Sequence, residues 1–311
     1  MKKQRIDIRR YGAVIVLLLM VALNGLITPN FMNIRTLWNV LIQAFPVILM
    51  ALGMTLVIAT GGIDISVGST MALSSIVLAK LAIHLEVSFG LSLLAALVAA
   101  ALFGLFNGVL VGVFKLQPIV STLILMVSGR GIAQLVNDGV VISFYGNSYS
   151  DLGMYRIGGV VPVQVVMIAI AMAVMVFVVK RTSFGCYVQA VGDNGQTAGL
   201  TGVNTTLVII AVYVICALLA GFAASFETLR LCSADPNNIG NNIELDCVAA
   251  VAVGGTSMSG GRAHVLGTVV GALVMQLVTI MVNMNNIPYA YSLVIKACII
   301  IAALYLQRKR A

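Results

Sequence analysis

Of 311 residues, 9% are charged and 60% are apolar, and the mean hydropathy is +1.08. A soluble domain carries about a quarter of its residues as charge, so most of this surface faces something other than water. The composition excludes a soluble enzyme, a secreted disulfide scaffold and a nucleic-acid module, and it assigns the net charge of +8 to the ends and loops of a multi-pass membrane protein.

The basic start, Lys2, Lys3, Arg5, Arg9 and Arg10, precedes a first apolar run at 11–28. That run lacks a clear small-x-small cleavage site and is expected to be retained as a helix. Runs at 37–59 and 66–85 follow, and between them residues 60–69, TGGIDISVGS, interrupt the hydrocarbon pattern with glycines, serines and Asp64. Backbone that leaves a helix inside a membrane must be satisfied by protein or water, so the break predicts a helix junction or a discontinuous helix lining a cavity. Asp64 or Ser66 is placed to cap the next helix, and Asp64 with its glycine hinge is a candidate for gating. The fourth run, 89–114, carries Gly104, Gly108 and Gly112 at four-residue spacing, which predicts a tight helix contact, together with Asn107. The fifth, 118–136, holds Arg130 about eleven residues in, with Gln134 one turn later. A cation at that depth must pair, face water or snorkel, and Arg130 is read as lining a pathway or steadying its walls.

Residues 137–160, NDGVVISFYGNSYSDLGMYRIGGV, are long and aromatic enough to form an ordered outer loop. After a run at 161–179, the segment 180–206, KRTSFGCYVQAVGDNGQTAGLTGVNTT, is polar, and its middle is read as a short helix flanked by Gly192 and Gly202 that docks onto something cytoplasmic. Four more runs complete the chain, at 207–228, 243–257, 264–284 and 290–306. The run at 243–257 begins with Glu244 and Asp246 and leads into a glycine-rich turn ending at Arg262, expected to pack closely against its neighbours. Gly267 and Gly271 repeat the packing device, Gln276 adds another amide, and Lys296 is expected to pair with Glu244 or Asp246.

Ten runs with Lys and Arg concentrated at both ends, including Arg308, Lys309 and Arg310, place both termini in the cytoplasm. The expectation is an all-α polytopic membrane protein of about ten transmembrane helices forming a single transmembrane domain over residues 1–311. The five cysteines lack short paired spacings and are read as packing residues without a disulfide. No catalytic residue and no metal cluster is assigned: the two histidines lie far apart, there is no G-x-S-x-G elbow, and no G-x-x-x-x-G-K-[ST] phosphate loop occurs. Transport is the remaining function class. Asn107, Gln134 and Gln276 are candidates for hydrogen-bonding a polyhydroxylated solute, and each could equally bond a neighbouring helix. An ion-coupled secondary transporter would show the same broken helices and buried charge.

Four blocks carry a specific likeness: ALGMTLVIATGGIDISVGS at 51–69, QPIVSTLILMVSGRGIAQ at 117–134, the GVN of 202–204 after the AVG of 190–192, and SADPNNIGNNIELDCVAAVAVGGTSMSGGRAHVLGTVVG at 233–271. In these blocks the sequence resembles the permease subunits of bacterial monosaccharide ABC importers of the ribose, xylose and galactofuranose type, the galactofuranose type above all. The resemblance implies a second permease, identical or homologous, a cytoplasmic ABC ATPase that binds ATP and Mg, a periplasmic sugar-binding protein, and alternating access in the plasma membrane. The chain itself would need no cofactor. It also implies that Gly192, Asp193, Asn194 and Gly202 belong to a segment coupling to the ATPase, although DNGQTAGLTG departs from the alanine-rich helix usual in relatives. Arg35, Arg156 and Arg230, in the outer loops, are then candidates for meeting acids on the binding protein.

Overall fold

The computed structural model describes residues 8–146 and 148–307. Lys2, Lys3, Arg5, Arg308, Lys309 and Arg310 lie outside the described residues. Apolar runs become helices close to the expected limits: α1 (Ile8–Ile27), α2 (Ile34–Ala59), α3 (Val67–Ala79, continued by a π-turn over Lys80–His84), α4 (Phe89–Gly112) and α5 (Pro118–Val136). A cap of short pieces follows, β1 (Ile142–Ser143), α6 (Ser148–Gly153), β2 (Arg156–Ile157) and β3 (Val161–Pro162). Then come α7 (Val163–Arg181), α8 (Ser183–Leu200), α9 (Thr205–Leu231), β4 (Ser233–Ala234), α10 (Ile243–Val253), α11 (Val265–Met284) and α12 (Ala290–Gln307). Among the described residues, seven helices are long and apolar enough to cross a membrane, and shorter apolar stretches lie at Gly12–Ile27 and Ala290–Ala302.

The run at 243–257 departs from expectation. It yields only the 11 residues of α10, about 16 Å at 1.5 Å per residue, half of a hydrocarbon core of about 30 Å. Its apolar composition suits a long helix, but the Gly254-Gly255 pair ends it early.

The centre of the bundle is α2, buried without interruption from Ala44 to Ala59, with α9 beside it. Close approach comes from missing side chains. Gly53 leaves room for Cys216 of α9, where a Cβ would stand 2.7 Å from the Cys216 Cα. Gly104, Gly108 and Gly112 meet α9 of the same chain, at Tyr213, Ile210 and Thr206 in turn, which makes the two helices antiparallel and answers which partner this ladder serves. Gly267 and Gly271 serve the α10–α11 contact in the same way, against Gly254 and Ala250. Across α2 and α11, the hydroxyls of Thr55 and Thr268 share a buried hydrogen bond of 2.8 Å that fixes their register.

One end of the bundle, called here the Arg35 end, holds the α1–α2 connection and the 137–160 cap. The cap is folded onto the helices: β1 pairs antiparallel with β4, and Gln164 of α7 donates to the Gly153 carbonyl at 2.6 Å. Phe144 is buried and the Tyr149 ring lies 5.8 Å from Phe89, while Tyr145 and Tyr155 remain exposed. The opposite end, called the Gly192 end, gathers α8, the end of α2 and the turn after α10.

Candidate functional site

The chain breaks twice at depth, and the two breaks meet. The first follows Ala59, where Gly61 takes φ +82 and turns the backbone out of α2. Asp64 then lies 1% exposed and accepts from the Ser66 amide at 2.9 Å and the Ser66 hydroxyl at 2.6 Å. Ser66 stands at the N-cap of α3 but gives its free amides no side-chain bond; its hydroxyl donates to Asp64, and its oxygen accepts from Asn107 instead. The capping role expected of Asp64 or Ser66 is therefore replaced by a chain of side chains. Asn107 of α4 donates to the Ser66 hydroxyl at 2.8 Å, Ser121 of α5 donates to Asn107 at 3.5 Å, and Thr122 donates to the Ile63 carbonyl at 3.2 Å. Asp64 and Asn107 thus tie three helices together.

The second break is residues 235–242, between β4 and α10. It starts at the Arg35 end and descends until Gly240 reaches Gly68, where a Cβ on Gly240 would stand 2.8 Å from the Gly68 carbonyl. The level is the middle of α5: Ser69 donates to the Leu125 carbonyl at 3.1 Å. Arg130 stitches the junction. Its guanidinium donates to the carbonyls of Ile239 at 2.7 Å, Pro236 at 3.2 Å and Gly68 at 3.3 Å, which join α5, the descending segment and the start of α3. Glu244 approaches Gly68 as well, where a Cβ would stand 2.7 Å from its Oε2. Gln134 donates to Asn237 at 2.8 Å, and Asn237 donates to Gly139 of the cap at 2.9 Å. Of the two acids expected to meet Lys296, Asp246 is the partner, with its oxygens at 2.7 and 2.8 Å. Gln276 stays apart from this junction, buried in α11.

At the Gly192 end, α8 is two helical pieces divided at Asn194, whose φ −160 and ψ 100 are extended. The Asn194 side chain accepts from the Thr197 amide at 3.0 Å and so caps the second piece. That piece ends at Gly202, which has φ +89. The departure from an alanine-rich pattern therefore leaves a short helix after Asn194 in place. Gly192 packs its backbone between the Ala59 carbonyl and Gly261, leaving no space for a Cβ, and the Gly261 amide donates to that same carbonyl at 3.0 Å. Asp193 lies over Gly261. The glycine-rich turn after α10 is thereby the seat of α8. Since α10 runs from this turn to the Gly68 junction, 11 residues link the two places directly.

Arg35, Arg156 and Arg230 all lie at the Arg35 end but differ in state. Arg35 is exposed, and Arg156 is exposed with one bond to the Val160 carbonyl at 3.3 Å. Arg230 is half-buried and engaged by Glu227 through bonds of 2.5 and 2.9 Å, so it is not a free cation. The signal was present in the sequence, since residues three apart share a helix face. A cleft of about 210 Å³ that no sequence pattern marks also opens at this end, where Thr36, Asn39 and Gln43 of α2 and Asn283 of α11 stand among the apolar Val40, Ile280 and Met284.

The assembly is that of a helical membrane protein with a broken, polar centre and a built protrusion at one end. Over residues 36–304 the sequence matches the family described as the permease component of the branched-chain amino acid transport system. The chain belongs to this permease family. The galactofuranose transporter permease protein of Escherichia coli (strain K12) is 37% identical, with 95% of this chain and 89% of the relative covered. The ribose import permease protein of the same strain is 35% identical over 96% of this chain and 93% of its own length. That of Bacillus subtilis (strain 168) is 33% identical over 97% and 94%. No solved structure matches. As a permease, the chain is a transport component of the inner membrane and not an enzyme by itself.

Proposed function

We propose that this permease forms, with a second permease, the path by which an ABC importer brings a monosaccharide (galactofuranose, pentose or hexose) into the cytoplasm. The observation that carries the reading is end-to-end similarity at 33–37% identity to relatives named for galactofuranose and ribose transport. The shape of α8 supports a cytoplasmic ATPase as partner: a capped turn projects at the Gly192 end and carries Leu200, 89% exposed, at its tip. The Gly192 end is then cytoplasmic and the Arg35 end faces the sugar-binding protein. Ten crossings follow if the descending segment 235–242 and α10 together make the eighth, which returns both termini to the cytoplasm.

The ATPase binds ATP and Mg. Its closure pushes α8, and the Gly261 turn passes the displacement along α10 to the Arg130 junction, so that the path opens alternately to the two sides. Asp64, at the base of the same α3, acts as part of the gate; Asp64→Asn uncouples hydrolysis from uptake in a complex that still assembles, and normal uptake by that variant would reduce Asp64 to a tie between helices. The reading as a whole is tested by purifying the solubilised chain from its native membrane. A P-loop ATPase should accompany it, with activity that rises when sugar-loaded binding protein is added. A chain that comes alone and moves solute under an ion gradient would replace this reading with a secondary carrier.

A further inference from the structure

The cleft between α2 and α11 carries amide side chains on an otherwise aliphatic lining. Thr36, Asn39 and Gln43 recur at helical spacing along one face of α2, and Asn283 faces them from α11 across a wall that includes Val40 and Ile280. The Thr36 hydroxyl donates to the Asn30 carbonyl at 3.1 Å. The amides of Asn39, Gln43 and Asn283 bond no side-chain or backbone group among the described residues. The register set by Thr55 and Thr268 puts Gln43 level with Ile280, and Gln43 lies nine residues into α2, about 14 Å from its start.

An amide at that depth without a partner costs several kcal/mol against lipid, so this face does not meet hydrocarbon. Its volume of about 210 Å³ far exceeds the ~10–15 Å³ that one water needs. No charged side chain lines it. Amides both donate and accept, which matches hydroxyl groups that do the same, while the aliphatic wall suits the C–H face of a sugar ring.

We propose that this cleft is the first sugar-binding station of the permease: Asn39, Gln43 and Asn283 receive a neutral monosaccharide at the Arg35 end before it passes the Arg130 junction. The inference rests on the importer reading and adds the residues and the chemistry of the ligand, a neutral polyol and not a sugar acid or phosphate. Its test uses the complete complex of permease, ATPase and binding protein in proteoliposomes, with radiolabelled D-ribose and D-galactose as probes. Gln43→Met and Asn283→Leu keep side-chain volume and remove the amides. The double variant is expected to lower sugar moved per ATP hydrolysed at least tenfold in complexes that co-elute as wild type does, and the thiol of Asn283→Cys should be alkylated more slowly in the presence of the transported sugar. An unchanged sugar-to-ATP ratio overturns the proposal. So does loss of co-elution of the two permeases, which would make the cleft a contact between copies. Failure of the wild-type complex to take up either sugar, or to show stimulated hydrolysis, would instead count against the importer reading itself.

Discussion

Replacing Arg130 with Met removes the one side chain among the described residues whose hydrogen bonds join α5, the start of α3 and the descending segment before α10. Three charge-assisted hydrogen bonds are lost, of which the one to Ile239 at 2.7 Å has the short length of a strong bond and those to Pro236 and Gly68, at 3.2 and 3.3 Å, are weaker. Bonds to charged groups are worth about 1.5–3 kcal/mol each, but Met also removes the cost of holding a guanidinium half out of water. Counting the short bond in full and letting the desolvation gain cancel the other two leaves about 3 kcal/mol, or roughly a 100-fold rise in the population in which Gly240 and Gly68 separate. Hydrogen exchange of the amides at 238–243 in the intact complex reads that population directly, and sugar uptake per ATP should fall with it. Arg130→Lys should recover only part of the protection, because one ammonium cannot span three carbonyls on two segments as the planar fork does. Equal protection and equal uptake in Arg130→Met and wild type would refute the view that this junction is held by Arg130.

Gly192→Ala places a methyl group against the Ala59 carbonyl and Gly261, so α8 must lift off its seat; ATPase co-elution should persist while stimulation by loaded binding protein drops, as an ATPase assay on the purified complex would show. Lys296→Met leaves the half-buried Asp246 unpaired and should destabilise the chain by about 3 kcal/mol, the low end for a buried pair. Adding Asp246→Leu should restore most of the loss in thermal unfolding in detergent, and no recovery in the double variant would mean that the pair does more than neutralise itself. Arg35→Glu with Arg156→Glu should weaken binding-protein docking and flatten its salt dependence, measured by titration at two ionic strengths. Arg230→Glu should instead act on folding, through repulsion from Glu227.

Where the helices begin and end was legible because hydrocarbon length and hydropathy are one-dimensional properties. The four-residue glycine ladder in α4 likewise announced a close contact, though only the fold names α9 as its partner. Asp246 as the partner of Lys296 was one of two choices, since Glu244 and Asp246 sit two residues apart and face different neighbours. The run at 243–257 overshoots α10 because it is carried past Gly254-Gly255, the pair that ends the helix after Val253. Arg130 looked like a pathway residue by its depth, yet its partners are backbone carbonyls, which every sequence contains and none advertises. The cleft was invisible for another reason: Asn39, Gln43 and Asn283 are more than 200 residues apart at the extreme and become one surface only through the α2–α11 register.

The short α10 also bears on how the chain is made. A segment of 11 residues with two acids in its first turn offers an insertion machinery too little hydrocarbon to accept by itself, since an acid at the centre of a span costs about 2.5–3.5 kcal/mol. Its neighbours must carry it in: α11 through the glycine contacts, and α12 through the cation that neutralises Asp246. Because α12 leaves the ribosome after α10 and α11, the charge of Asp246 stays uncompensated until Lys296 has been made, and a chain truncated before Lys296 should leave α10 outside the bilayer and open to the quality-control proteases of the membrane.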